Sequence, residues 1–116
     1  MIEFDITEEA KSLLKLLYTL YLSRRAEGKG RTKANYFNDS ESIQKDYLPS
    51  MAADDVTELC FELADAGCII YCPGNNMAND ISLSRDGLVY CEQAFKRNLK
   101  ILLEWVSDIK GVLPFC

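Results

Sequence analysis

The sequence contains no histidine. That absence excludes imidazole general bases, Ser–His and Cys–His nucleophile pairs, and histidine metal ligands. Acid–base work is left to carboxylates, lysine and tyrosine, and metal binding to cysteines and carboxylates. No apolar run approaches the roughly 18 residues that span a bilayer. Glycine and proline are scarce, at 6 and 3 of 116 residues, which excludes collagen-like and low-complexity classes. The opening residues Met1-Ile2-Glu3-Phe4-Asp5 lack the basic and apolar regions of a secretory signal, so a cytoplasmic location is expected. What remains is 48% hydrophobic and 27% charged, an ordinary composition for a single globular domain over residues 1–116. A chain of this length removes roughly two-thirds of its extended surface from water without metals or disulfides.

Five cysteines are present: Cys60, Cys68, Cys72, Cys91 and Cys116. An odd number without a secretory signal favours reduced thiols. Their spacing contains no paired C-x2-C knuckle of a zinc ribbon. Cys68 and Cys72 share parity on an expected strand, which puts them on one face. A zinc site from Cys60, Cys68, Cys72 and Cys91 is conceivable. The preferred reading buries Cys60, Cys68 and Cys91 as small hydrophobes, with no metal and no cofactor. Cys116 ends the sequence and is expected to be exposed.

Local patterns place a series of helices around one hairpin. Asp5 and Thr7 both offer capping oxygens ahead of Glu8 and Glu9. Ala10, Leu13, Leu14, Leu17, Leu20 and Tyr21 then recur at helical spacing, predicting a first helix over 7–25 that ends before Gly28 and Gly30. Residues 31–38 show no helical period and read as a loop. Ser40 to Leu48 predicts a short second helix, halted by Pro49. Ser50 is the expected cap of a third helix with Val56, Leu59, Cys60 and Leu63 inward and Gly67 at its end. Cys68-Ile69-Ile70-Tyr71-Cys72 reads as a strand. Pro73 to Asp80 reads as a polar loop, and Ile81-Ser82-Leu83 as the returning strand. Ser84 caps a long terminal helix expected over about 85–110. The fold class is therefore mainly α with a small β-hairpin (α+β), with a core over 7–91.

The residues Val56-x-x-Leu59-x-x-x-Leu63-Ala64-Asp65-Ala66-Gly67-Cys68-Ile69, followed by Ile81-Ser82-Leu83-Ser84-Arg85-Asp86-Gly87-Leu88-Val89-Tyr90, carry a resemblance. This stretch resembles the winged-helix (winged helix-turn-helix) superfamily, in the style of small bacterial regulators, over roughly residues 40–91. The resemblance implies a winged-helix architecture whose third helix enters the DNA major groove and whose wing touches the backbone or minor groove. Carried onto this sequence, it leaves Asn75, Asn76 and Asn79 on the wing and Arg85 at its base as nucleic-acid contacts.

Charge argues against the DNA-reading role. Residues 50–67 hold Asp54, Asp55, Glu58, Glu62 and Asp65 and no Lys or Arg. Duplex binding draws its affinity mainly from cations that neutralise phosphates, so such a helix is repelled. Over residues 39–65 eight acids face only Lys45, a local charge of −7, whereas 24–33 carries +4 from Arg24, Arg25, Lys29, Arg31 and Lys33 against Glu27. The basic segment reads either as an anchor for nucleic acid or another polyanion, or as a solvated loop paired with the chain's own acids. Asp54, Asp55, Glu58 and Glu62 read as a solvated face or as a docking face for a protein. Tyr18, Tyr21 and Tyr36 flank the basic segment and offer rings that either stack on single-stranded bases or pack inward.

Enzymatic motifs are absent. Gly28-Lys29-Gly30-Arg31-Thr32 lacks the spacing of a phosphate loop. The terminal helix carries a heptad seam of Phe95, Asn98, Leu102, Trp105 and Ile109, beside a second stripe of Leu99, Leu103 and Val106. An apolar arc so broad needs cover on two sides. The Leu-rich first helix is the expected cover within the chain. A two-fold related terminal helix, with Asn98 fixing register in a homodimer, is the expected cover across it. The alternative is that both stripes lie in the monomer core. The sequence thus predicts a non-enzymatic regulatory module acting through protein–protein interaction, with no membrane partner. The alternative is a DNA-binding transcriptional regulator using 24–33 and the wing.

Overall fold

In the computed structural model, residues 4–95 and 98–108 are described. The fold is mainly helical, with a two-stranded antiparallel hairpin between the fourth and fifth helices. The spine is α1 (Glu8–Ala26). Of the two candidate caps it is Thr7 that starts it, its hydroxyl accepting from the Ala10 N–H at 3.2 Å. Ala10, Leu13, Leu14, Leu16, Leu17 and Tyr18 are at most 1% exposed. These residues occupy more than one side of the cylinder, so α1 is wrapped by other elements rather than laid on a surface.

Residues 31–38 are not a simple loop. Arg31–Ala34 forms a single helical turn, α2. Chain 35–38 then runs along the second strand: Phe37 N–H donates to the Ile81 carbonyl at 2.9 Å, and Ile81 N–H to the Asn38 carbonyl at 2.8 Å. The Asn35 amide completes this pairing by donating to the Leu83 carbonyl at 2.9 Å and accepting from its N–H at 2.7 Å. One side chain here does the work of a strand backbone.

Helix α3 (Ser40–Tyr47) is capped by Asp39, whose carboxylate accepts from Ser42 N–H at 2.7 Å. Helix α4 (Ala53–Ala66) begins at Ala52 with no side-chain cap, so the expected role of Ser50 is not realised. Asp54 and Asp55 in the first turn instead place negative charge at the positive end of the helix dipole. The buried Ser40 and Thr57 hydroxyls lie 2.8 Å apart, and Ser40 Oγ also accepts from Ala78 N–H at 3.3 Å, joining α3, α4 and the hairpin.

Strands β1 (Ile69–Gly74) and β2 (Met77–Leu83) are longer than the sequence suggests, and the expected polar loop over 73–80 shrinks to Asn75-Asn76. Both residues have positive φ, 53° and 58°, as a primed two-residue hairpin turn requires. Asparagine tolerates that region, so a loop signal was in fact a tight-turn signal. The register slips between Ile70↔Ser82 and Cys72↔Asn79, and Asp80 in the extra position takes φ 51°. Cys68 and Cys72 do not share a face. Cys68 precedes the strand and is fully buried, whereas Cys72 is exposed.

The long terminal helix is two helices. α5 (Arg85–Ala94) stops where Phe95 turns extended at φ −114°, ψ 143°. α6 (Leu99–Asp108) starts anew, with Asn98 Oδ1 accepting from Ile101 N–H at 3.3 Å. Asn98 is thus a helix cap and not a register residue within a continuous helix, in keeping with the capping preference of asparagine. Ile109 and Cys116 lie outside the described residues.

Two glycines are required at the junction of α4, hairpin and α5. Gly67 closes α4 at φ 93°, a conformation costly for residues with a Cβ. Gly87 sits in the first turn of α5 against the Cys68 carbonyl, and a Cβ there would lie 2.0 Å from that oxygen. At Gly30, by contrast, a Cβ would meet nothing within 4 Å. Gly87→Ala is therefore expected to lower stability by about 3 kcal/mol or more, and Gly30→Ala to change it by under about 0.5 kcal/mol. Denaturant titration followed by circular dichroism measures both; equal effects would refute the close-packing account.

Candidate interaction surfaces

The basic segment divides into cations that serve the fold and cations that face water. Arg24 lies in the last turn of α1, half-buried. Its Nη1 donates to the Tyr36 carbonyl at 2.6 Å and to that of Ala34 at 3.4 Å, and its guanidinium stacks 5.1 Å from the Phe37 ring centre. Arg25 Nη1 donates to the Lys29 carbonyl at 3.2 Å. The Lys29 ammonium lies 3.7 Å from Glu27, an exposed pair of small energetic weight. Arg31 and Lys33 remain exposed on α2, and Arg85 is exposed at the start of α5.

On α4, Asp54, Asp55, Glu58 and Asp65 are exposed. Glu62 is held: its Oε2 accepts from Thr7 N–H at 2.6 Å and its Oε1 from the Thr7 hydroxyl at 3.0 Å. It fastens the start of α1 to α4 and is poorly placed to meet a partner. Glu9, Asp55, Glu58 and Glu62 share a cleft of about 340 Å³ between the two helices. The hairpin tip bends over the same helix, since Asn76 lines a smaller hollow with Asp54, Thr57, Glu58 and Phe61. Asn76 is thereby placed among acids, and Arg31 and Lys33 line other hollows. Asn75 is exposed at the tip. Among the described residues, no three cysteines or carboxylates are grouped to hold a metal ion.

The seam read on the terminal helix turns inward. Leu102 is 2% exposed, and α6 packs on α1. Lys15 Nζ sits 4.3 Å from the Trp105 ring centre and 5.9 Å from that of Phe95, a cation–π contact binding α1 to both. The apolar arc nevertheless exceeds this cover, since Ile101 and Leu103 on its flanks are 51% and 42% exposed.

Beside α2, sequence reasoning named the Tyr36 ring but missed the carboxylate it pairs with. Tyr36 is 44% exposed, and its phenol donates to Asp80 Oδ1 at 2.8 Å. That hydrogen bond, with the nearby carboxylate charges of Asp80 and Asp39, holds the phenol pKa above its usual value. The two residues are 44 positions apart, and Asp80 points as it does because of the bulge. No local pattern carries that signal. Tyr18, by contrast, is part of the core and no stacking platform.

The thiols sort by burial. Desolvation pushes Cys60 up to about 12. It also pushes Cys68, with help from Glu62, up to about 11. Cys91 is raised for the same reason, with Cys68 and Glu92 adding to it. Cys72 is exposed. No family model, characterised protein or solved structure matches the chain. Among the described residues no helix is long and apolar enough to cross a membrane.

Two measurements check these assignments. Arg24→Leu should cost about 1–2 kcal/mol through lost charged hydrogen bonds, and Arg31→Leu under about 0.5 kcal/mol; equal costs would show that Arg24 is not a structural clamp. In a Cys116→Ser background at pH 8, mass mapping after alkylation should find Cys72 modified and Cys60, Cys68 and Cys91 protected until denaturant is added.

Proposed function

We propose that this chain is a winged-helix regulatory module that acts by binding a basic protein surface through α4, without catalysis. The order α1, α3, α4, hairpin supports the architecture. Residues 37–38, between the first two of those helices, pair with β2 and tie that segment to the hairpin. The observation that carries the function is the sign of charge on α4. Asp54, Asp55, Glu58 and Asp65 point to solvent with no cation on the helix, and Asn76 of the tip lies beside them. A surface of that sign repels phosphate and attracts Lys- and Arg-rich protein. A DNA-binding alternative would rest chiefly on Arg31 and Lys33 of 24–33, because Arg24 and Arg25 bond backbone carbonyls of their own chain.

The test is an Asp55→Lys, Glu58→Lys double variant, which leaves the Glu62–Thr7 clasp intact. Cross-linking in the source cell should join wild type to one basic partner, and the variant should lose it while keeping its circular dichroism spectrum. Duplex DNA should show no saturable binding to wild type at about 150 mM salt. Tight duplex binding abolished by changes in α4 would overturn the proposal.

A homodimer through α6 belongs to the same reading, with Ile101 and Leu103 as its contacts in place of the inward seam. Light scattering of the reduced protein should then give about twice the 13.1 kDa of the chain. Ile101→Lys with Leu103→Lys should return it to that value. A wild-type monomer at tens of micromolar removes the dimer and leaves the α4 proposal standing.

A further inference from the structure

The surface beside α2 has a chemistry that the acidic helix does not explain. An open hollow of about 530 Å³ is lined by Thr32, Lys33, Asn35, Tyr36, Asp80 and Ser82. That volume lies within the range of small-molecule sites. Its centrepiece is an aromatic residue held at its phenol and at its backbone. The Tyr36 phenol donates to Asp80 at 2.8 Å, and the Tyr36 carbonyl accepts from Arg24 at 2.6 Å. The preceding residue, Asn35, is fixed by its two bonds to Leu83. A ring so restrained loses little rotamer freedom when another ring stacks on it.

Groups of opposite sign surround this ring. Lys33 and Thr32 offer an ammonium and a hydroxyl, and Arg31 lines an adjoining hollow of about 330 Å³ that shares Thr32 and Asn35. Asp80 uses Oδ1 for the phenol, which leaves its second carboxylate oxygen as an acceptor, with the Ser82 hydroxyl on the same wall. A ligand suited to all three features is a planar heterocycle with an N–H donor and an attached anion. An anion alone would leave the ring and the carboxylate unused, and a neutral ring would leave the cations unused.

We infer that this hollow binds a nucleoside monophosphate bearing an amino base, stacked on Tyr36 with its amine toward Asp80 and its phosphate toward Lys33, Thr32 and Arg31. The site shares no residue with the α4 docking face and stands or falls independently of it. It gives the module a place for a small effector on a different element from the protein contact.

Amide NMR of the full chain titrated with AMP provides the test. Saturable shifts are expected at residues 32–36 and 80–82, with a dissociation constant below about 1 mM. Adenosine, which lacks the phosphate, purine riboside monophosphate, which lacks the N–H donor, and inorganic phosphate, which lacks both ring and donor, should each bind at least about five-fold more weakly. Tyr36→Leu should weaken AMP binding about ten-fold. Lys33→Ala, which leaves the ring in place, should also weaken it several-fold. The inference is overturned by shifts confined to other residues, by no saturation, by phosphate alone giving the same response, or by either variant binding as wild type does. A single-stranded oligoadenylate that occupies the same amides more than about ten-fold tighter than AMP overturns it as well, in favour of a nucleic-acid strand.

Discussion

The carbonyl of Cys68 is approached from two directions by the chain that follows the hairpin. Ser84 N–H donates to it at 3.0 Å, and Gly87 packs against it where any side chain would collide. Ser84 also donates its hydroxyl to the Gly67 carbonyl at 2.6 Å while accepting from Gly87 N–H at 2.9 Å. On the other side, Cys68 N–H satisfies the Leu63 carbonyl at 2.8 Å. One small knot therefore closes the end of α4, the two ends of the hairpin and the start of α5. Backbone groups that helix termini leave unpaired are satisfied within it. The direction of the hairpin over α4 and the landing of α5 beside α1 follow from this junction, and with them the placing of both candidate surfaces.

Around that frame the charged side chains are divided by task. Cations near the end of α1 bond carbonyl oxygens of the turn that follows, where helix-end polarity favours them. Glu62 ties the start of the same helix to α4. The remaining acids of α4 are left facing water. The formal charge of −5 is thus unevenly spread, with uncompensated acids on α4 and cations gathered near the end of α1 and on α2. An unevenness already visible in the sequence becomes sharper in three dimensions.

Helices whose signals are local were legible. Thr7, Gly67 and Ser84 each mark a boundary through short-range capping chemistry, and all three act at the positions their residue types suggest. Errors arose where one residue type serves two geometries. Asn75-Asn76 looked like the opening of a loop and is a tight turn, and Asn98 looked like a polar break in a seam and is a cap. The leucines and aromatics from Phe95 to Val106 revealed a broad apolar arc. They pointed to the first helix as cover within the chain, and α6 does pack on α1, but they did not reveal that the terminal helix breaks after Ala94. The acids of α4 were readable as a face, but the use of Glu62 was not. The Tyr36–Asp80 pair needed the bulge in β2 and was invisible to any window of sequence.

The hairpin is a sheet of only two strands, and both of its borders are guarded. Along β2 the Asn35 amide and the Phe37 and Asn38 backbone occupy groups that another strand would seek. Along β1, Pro73 supplies no N–H. Strand-by-strand growth is thereby disfavoured at each margin, which matters for a hairpin that exposes Ile70 on its flat.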